Sequence, residues 1–211
     1  SNAPFRMFKR YSHEGGVATP LVMHWPNRLK NKGAIIHQPG HVMDFLPTFL
    51  DAAGAMPLTE LNGKKTMKLD GSSLLPGLEA NATIGERKIG FEHAGNRGLR
   101  YGKWKLVAEN GKGWELYDMS KDRTEVNDLS KSNPEQLKIM LEKYQQWAEA
   151  NWVVEWPKIS AVLSGKQAGT VVLPAKDNPL RRTQQEVDDS VEFINKERAK
   201  RKLPLMKDLS K

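Results

Sequence analysis

The spacing of apolar residues divides the first part of the chain into a strand, a helix and a loop-rich connection. Residues 18–25 form a short apolar run closed by a Pro-Asn pair, which is typical of a buried strand entered through a turn. Apolar residues then recur at helical spacing and stop at Gly54. Pro47 lies inside this pattern, and proline is tolerated only in the first turn of a helix. The spacing therefore predicts a helix over 46–53. Residues 55–87 have weak periodicity and many glycines, so we expect a loop-rich connection.

The second part of the chain predicts a small sheet and a helix that covers it. Between residues 88 and 118, short apolar or aromatic stretches alternate with glycine turns, which indicates a meander of antiparallel strands. Asn133 is the expected N-cap of the next helix, with Pro134 in its first position and Gln136 placed to close a capping box. A meander with one apolar face needs a partner layer, and we expect Trp104 and Trp114 on that face. The predicted apolar face of the helix consists of Leu137, Met140, Leu141, Tyr144, Trp147 and Ala148.

After residue 157 the composition shifts toward Ser, Gly, Lys and Pro, and a second helical pattern follows at about 184–201. We therefore expect three parts: residues 1–87, a small antiparallel-sheet subdomain over 88–156, and a tail over 157–211 that ends in an amphipathic helix. The opening Ser1-Asn2-Ala3 resembles the scar left by removal of an expression tag.

Composition limits the classes of function. No apolar run approaches the roughly 20 residues of a membrane span, so we expect no membrane partner. The chain has no cysteine, which excludes disulfides, thiolate metal sites and cysteine nucleophiles within these 211 residues. The net charge of +8 raises the question of a polyanion, but lysines and arginines are spread over the whole chain. We therefore expect solvated charge and no nucleic-acid partner.

The segment from Phe8 to Gly16 carries the strongest candidate chemistry. Two cations, a histidine and an acid precede a glycine pair that leads into the predicted strand, and binding groups favour such loops. The residues alone leave two interpretations open, because a glycine pair before a strand is often only a turn.

Several ordered motifs turn this ambiguity into a family resemblance. The segment from Lys9 to Pro26, Lys-x3-His-Glu-Gly-Gly followed by a strand ending in Trp-Pro, resembles the sulfatase family. Ordered similarities to the same family span residues 4–153. They include His41-Val-Met-Asp44-Phe-Leu-Pro47-Thr48, Asp70-Gly71-Ser72-Ser73-Leu74-Leu75-Pro76, Glu92-His93-Ala94-Gly95-Asn96-Arg97-Gly98, Gly102-Lys-Trp104-Lys-Leu106-Val107 and Trp114-Glu-Leu-Tyr117-Asp118.

The resemblance implies a fold and a reaction. The fold class is α/β, or α+β within this chain: the C-terminal part of an alkaline-phosphatase-like domain, then a small antiparallel sheet covered by a helix. Sulfatases hydrolyse sulfate esters with a formylglycine nucleophile and a divalent cation, usually calcium, so the expected partner is a sulfated small molecule or glycan. The chain has no cysteine and no Ser-x-Pro/Ala-x-Arg sequence, so we expect it to bind no calcium and to be inactive by itself. A periplasmic or secreted location is implied by the family.

The resemblance also assigns candidate site residues. Lys9 aligns with the family lysine that contacts the sulfate near the leaving oxygen, and an ammonium there would stabilise the charge that grows on the departing oxygen. His13 is expected in the same pocket, with a structural role as the alternative. A second group at the β-turn after the first strand, expected to bind an anionic substrate, consists of His93, Asn96, Arg97 and Arg100. Pairing of either arginine with Glu92 is the competing interpretation.

Two other patterns are weaker. His37, His41 and Asp44 have metal-like spacing, but Pro39-Gly40 interrupts any helix between the histidines, and we expect no metal there. Asn81 fits a glycosylation acceptor. Because an apolar strand without neighbours tends to pair with another chain, we expect self-association through the strand at 18–25. The alternative functions are a noncatalytic anion- or glycan-binding module and a phosphoester hydrolase of the same superfamily.

Overall fold

The computed structural model describes residues 2–30, 33–80 and 85–156, together with residues 160, 192 and 196. The chain divides into two compact units, Ser1–Val171 and Val172–Lys211. In the described residues no helix is long and apolar enough to cross a membrane. The elements of the first unit are α1 (Glu14–Val17), a 3-10 helix (Val42–Asp44), α2 (Phe45–Ala52), β1 (Glu60–Leu61), β2 (Lys64–Lys65), α3 (Leu75–Ala80), β3 (Lys88–His93), β4 (Asn96–Tyr101), β5 (Trp104–Ala108), β6 (Glu115–Asp118) and α4 (Pro134–Ala150).

The predicted meander is confirmed as a four-stranded antiparallel sheet in the order β3-β4-β5-β6. Tight turns join the first three strands, and the Ala94-Gly95 pair between β3 and β4 has positive φ at both residues, as a two-residue hairpin turn requires. Leu99, Leu106 and Leu116 lie directly opposite one another on the three adjacent strands β4, β5 and β6, so they share one face of the sheet. Strand β3 forms one edge.

Helix α4 covers the leucine face of the sheet, as predicted. Asn133 accepts a hydrogen bond from the backbone N–H of Gln136, and Pro134 occupies the first turn. The buried helix residues Met140, Tyr144 and Ala148 join the three leucines in one core. Trp104 and Trp114 pack against the same core, as expected, and the Trp114 ring meets Tyr144 edge to face at 4.8 Å between ring centroids.

The opposite face of the sheet is also covered, which the sequence pattern did not predict. Val107, Tyr117 and Met119 form a second buried cluster there. Residues 5–17 lie over this face, and a Cβ added to Gly98 would come within 2.9 Å of Ser12 Cβ. The sheet is therefore the middle layer between α4 and the N-terminal segment.

The predicted buried strand at residues 18–25 is wrong. This segment forms no strand, and Leu21 and Val22 are 50% and 88% exposed. A strand forms only where a neighbour accepts its hydrogen bonds, and within the described residues every paired strand belongs to the meander or to the β1–β2 hairpin. An apolar run alone cannot supply that neighbour.

The predicted helix over 46–53 is confirmed within one residue as α2, with Gly54 in the left-handed conformation after it. The expected loop-rich connection over 55–87 is only partly correct, because it contains the β1–β2 hairpin and helix α3. These strands have two residues each and the helix has six, which is too short for periodicity to reveal. The hairpin does carry a local signal, since Asn62-Gly63 forms its turn with positive φ at both residues.

A buried carboxylate ties this connection to α2. Asp44 forms an ion pair with Arg87 and accepts hydrogen bonds from the backbone N–H groups of His41 and Ser72. Burial by itself would raise the pKa of Asp44, but the Arg87 guanidinium and the two backbone N–H donors hold the pKa below its ordinary value. Of the predicted tail helix near 184–201 the structure describes only residues 192 and 196, and both are helical. The acceptor Asn81 lies outside the described residues, and the three-part division stays a prediction.

Candidate functional site

The loop that carries Lys9 has an unusual backbone. Met7 and Arg10, on either side of Lys9, both have positive φ, at 62° and 85°. For residues with a Cβ this left-handed region costs on the order of 1 kcal/mol or more, and such conformations persist only where surrounding contacts enforce them. Lys9 itself is exposed. The surrounding contacts therefore hold a defined loop that presents an ammonium group to solvent.

The glycine pair after this loop supplies those contacts. A Cβ on Gly15 would lie 2.2 Å from the carbonyl oxygens of Arg6 and Met7, and one on Gly16 would lie 2.0 Å from that of Tyr11. Gly15 N–H also donates a hydrogen bond to the Arg6 carbonyl at 2.8 Å. Only residues without a Cβ permit this approach. The Gly-Gly pair is thus the surface on which the Lys9 loop rests.

Glu14 anchors the glycine pair to the sheet. Lys105 on β5 is 1% exposed, and its Nζ lies 2.9 Å from Glu14 Oε1 and 2.8 Å from Glu125 Oε1. Glu125, which is fully buried, also accepts a hydrogen bond from the backbone N–H of Glu14 at 2.8 Å. Burial raises the pKa of Glu14, but attraction to Lys105 outweighs it and leaves the pKa below its ordinary value.

A second anchor holds the start of the loop. The His13 ring is fully buried, and its Nε2 lies 3.1 Å from Glu115 Oε2. Arg6 Nη1 lies 3.2 Å from the same oxygen and donates to the Glu125 carbonyl at 2.8 Å. Burial raises the pKa of Glu115, but hydrogen bonds from Tyr117 and His13 lower it below the ordinary range. The His13 ring therefore lies beneath the Lys9 loop and does not line the cavity described below. This agrees with the structural role that was the alternative to a place in the pocket.

Lys9 and His93 line one open cavity of about 820 Å³. The cavity lies along the edge strand β3, between residues 9–17 on one side and the end of α4 with the following residues on the other. Arg10, Trp147 and Trp152 also line it. Cations, an imidazole and aromatic surfaces therefore converge on a concave site, the arrangement that suits an anionic ligand with an apolar or ring-shaped body.

The structure does not bring the remaining predicted residues to this cavity. Asn96 is buried at the start of β4, where its side chain donates to the His93 carbonyl and accepts from the Asn110 N–H. Arg97 and Arg100 lie within β4 and not at the turn. The Arg97 guanidinium stacks 4.5 Å from the Trp114 ring, and Arg100 Nε donates to the Gly102 carbonyl. Substrate contact by these three residues stays a prediction.

The described residues do not fit a calcium site. Among them no three His, Asp or Glu side chains come together as metal ligands. The buried carboxylates of Glu14, Glu125 and Asp44 are each committed to a lysine or an arginine. His41, one of the two histidines of the metal-like pattern, caps the 3-10 helix by accepting a hydrogen bond from the Met43 N–H.

Sequence reasoning missed Lys105 and the lining role of Trp147. Lysines are rarely fully buried, so the sequence places Lys105 among the surface charges. A signal is present, because both Leu106 and Val107 follow it and neighbouring strand residues point to opposite faces. Apolar residues on both faces of β5 indicate that both faces are covered. Lys105 shares a face with Val107, so its burial is expected from this pattern.

Comparison with known proteins finds sulfatases as relatives of this chain. The family profile described as "N-sulphoglucosamine sulphohydrolase, C-terminal" matches residues 5–151. An uncharacterized sulfatase of Schizosaccharomyces pombe is 28% identical over 164 residues, which cover 74% of this chain and 29% of that protein. Mouse steryl-sulfatase is 36% identical over 104 residues, or 49% of this chain and 15% of its own length.

A solved structure agrees in fold. The crystal structure of Ps i-CgsB superposes with a TM-score of 0.61 and 25% identity, covering 80% of this chain and 38% of that one. The same protein has been solved in complex with k-i-k-neocarrahexaose. The chain spans less than a third of the length of the Schizosaccharomyces pombe sulfatase and of mouse steryl-sulfatase.

Proposed function

The chain belongs to the N-sulphoglucosamine sulphohydrolase C-terminal family of sulfatases, and we propose that the full-length protein is a sulfuric ester hydrolase acting on an aryl or carbohydrate sulfate ester. The observation that carries the proposal is the cavity that Lys9 shares with His93 at the edge of the small sheet. In this proposal the residues that line the cavity form one wall of the substrate site.

The proposed role of Lys9 follows from its charge and its fixed loop. An ammonium group beside a sulfuryl oxygen forms a charge-assisted hydrogen bond, which strengthens as negative charge builds on the departing oxygen. Because the loop is already held by the Gly15 and Gly16 contacts, little ordering is required when substrate binds. His93, which lines the same cavity, adds a second donor.

The nucleophile and the metal belong elsewhere in this proposal. Formylglycine, the family nucleophile, supplies the group that attacks sulfur, and the described residues do not fit calcium. We place both the formylglycine and the calcium ligands in parts of the full-length protein outside these 211 residues. The chain alone is then inactive. A periplasmic or secreted location is proposed on the same family grounds.

A carbohydrate sulfate is the favoured substrate class. Trp147 and Trp152 line the cavity beside the cations, and rigid aromatic faces offer large contact areas to a sugar ring. Ps i-CgsB, which resembles this chain in fold, was solved with a neocarrahexaose. Sulfated oligosaccharides are therefore the first substrates to test.

The test measures sulfate release by the full-length protein. Ion chromatography would follow sulfate freed from a sulfated galactan oligosaccharide, a sulfated glucosamine and an aryl sulfate. Lys9→Ala is expected to lower kcat by about 100-fold, the effect of losing one oxyanion donor. Lys131→Ala, which alters an exposed lysine before α4 and away from the cavity, is the matched control and should keep wild-type activity.

Three results would overturn the proposal. Full activity in Lys9→Ala would remove the ammonium from the reaction. Tight binding of sulfated oligosaccharide by the wild-type protein without sulfate release would favour the noncatalytic glycan-binding module. Release of phosphate from phosphoesters in place of sulfate would favour the phosphoester hydrolase.

A further inference from the structure

Lys105 is buried at a cost that needs a reason. Removing an ammonium and two carboxylates from water is expensive, and apolar residues of similar volume often stabilise a protein as well or better. Yet Lys105 is 1% exposed between Glu14 and Glu125. A buried ion group of this kind fixes one arrangement of the chain, because displaced partners would be left unpaired. The arrangement fixed here is the position of residue 14 on the sheet.

Glu14 is held through both its side chain and its backbone. Its carboxylate meets Lys105 at 2.9 Å and Arg123 Nη2 at 3.4 Å, and its backbone N–H donates to Glu125 Oε2 at 2.8 Å. The three partners come from β5 and from the turn after β6. Residue 14 therefore has almost no freedom to move relative to the small sheet.

The rigid connection continues from Glu14 to Lys9. Gly15 and Gly16, the next two residues, touch the carbonyl oxygens of the Lys9 loop so closely that no Cβ fits between them. Gly15 N–H and Gly16 N–H donate to the Arg6 and His13 carbonyls. A shift of residue 14 is thus passed directly to the loop.

We propose that Glu14 is a positioning residue, which through its pair with Lys105 sets where the Lys9 ammonium lies in the cavity. The inference rests on the proposed sulfatase function and deepens it. Glu14 does not line the cavity, so its effect on the reaction passes through Lys9. A purely structural role would instead lower stability without any link to Lys9.

Glu14→Gln in the full-length protein is the sharpest variant. It keeps the size of the side chain and leaves Lys105 paired with Glu125, whereas Lys105→Met would strand two buried carboxylates. We expect kcat for sulfate release to fall about tenfold and KM to change little, since small misplacements of a catalytic group are costly. Asp44→Asn, which also weakens a buried carboxylate pair but outside this network, is the control for lost stability and should keep kcat.

A double-mutant cycle separates positioning from stability. If Glu14 acts through Lys9, adding Glu14→Gln to Lys9→Ala should reduce kcat by less than about twofold further. A full tenfold loss in the Lys9→Ala background would overturn the proposal, as would wild-type kcat in Glu14→Gln. An equal loss of kcat in Asp44→Asn would assign the effect to stability and also overturn it.

Hydrogen exchange gives a readout that does not depend on activity. In the full-length Glu14→Gln variant, peptides covering residues 6–16 should exchange faster than in the wild type, while β4 peptides stay unchanged. Unchanged exchange at 6–16 would contradict the proposal. Full activity of Lys9→Ala would refute the proposed function, whereas a strong Lys9→Ala effect with a silent Glu14→Gln would refute only the positioning role.

Discussion

Gly15→Ala tests whether the packing of the glycine pair sets the Lys9 loop. A Cβ at this position would lie 2.2 Å from two backbone carbonyl oxygens, those of Arg6 and Met7. Ordinary van der Waals contact begins near 3.4 Å. The loop must therefore retreat by more than about 1 Å, because backbone atoms cannot rotate away as the end of a side chain can.

The expected magnitude comes from two opposing effects. Alanine is a better helix former than glycine by about 1 kcal/mol, which favours the variant in α1. Overpacking typically costs about 1–3 kcal/mol, and here the contact is with two backbone groups. The difference between these two terms is a net loss of up to about 2 kcal/mol in the free energy of unfolding. Moving Lys9 by about 1 Å should also reduce kcat by about 100-fold.

Two assays follow these quantities. Urea unfolding of the 211-residue chain, monitored by tryptophan fluorescence, gives the free energy, and sulfate release by the full-length protein gives kcat. Gly113→Ala is the matched control, because a Cβ there meets no atom within 4 Å. If Gly15→Ala matched Gly113→Ala in both assays, the close packing would not determine the loop and the reasoning would be refuted.

Three further predictions concern stability and association. The pKa values of Glu14 and Asp44 are held below their ordinary range, so the stabilisation that these carboxylates give is complete at neutral pH and is lost as the pH falls below about 4.5. Urea unfolding from pH 7 to 3 should therefore show a falling free energy of unfolding, and Glu14→Gln should make this fall smaller. Asn133→Ala removes the N-cap of α4 and should lower the free energy of unfolding by about 1 kcal/mol, whereas Ser132→Ala at the preceding residue should change it little. We propose that the 211-residue chain self-associates through residues 18–25, so light scattering should give a mass above the monomer that falls in Val22→Lys; a monomer at high concentration would contradict this.

Local patterns predict the meander and α4 because their signals lie within a few residues. Glycine turns separate the strands, and Asn133-Pro134 marks the start of the helix whatever surrounds it. The run at 18–25 shows the limit of this approach. Its apolar composition is real, but a strand needs a partner strand, and no local pattern says whether one is present.

The site could be predicted only as far as family resemblance and exposure allowed. Lys9 and His93 line one cavity, and their contact with substrate stays a prediction. The roles of Arg97 and Arg100 depend on which face of β4 each occupies and on what covers that face. Arg97 stacks on Trp114 beneath α4, and Arg100 lies on the other face with Lys105. Alternation along a strand puts residues 97 and 100 on opposite faces, but only the three-dimensional arrangement shows what covers each face.

The contacts of Glu14 with Lys105 and Glu125 imply an order of events in folding. Lys105 follows Glu14 by 91 residues along the chain, and Glu125 follows it by 111. During synthesis the Lys9 loop therefore leaves the ribosome long before the side chains that fix it exist. Contacts across such separations form late in folding because loop closure must be completed first. The ammonium at position 9 is then put in place only after the meander and the turn beyond β6 have folded, and a nascent chain cannot present it early.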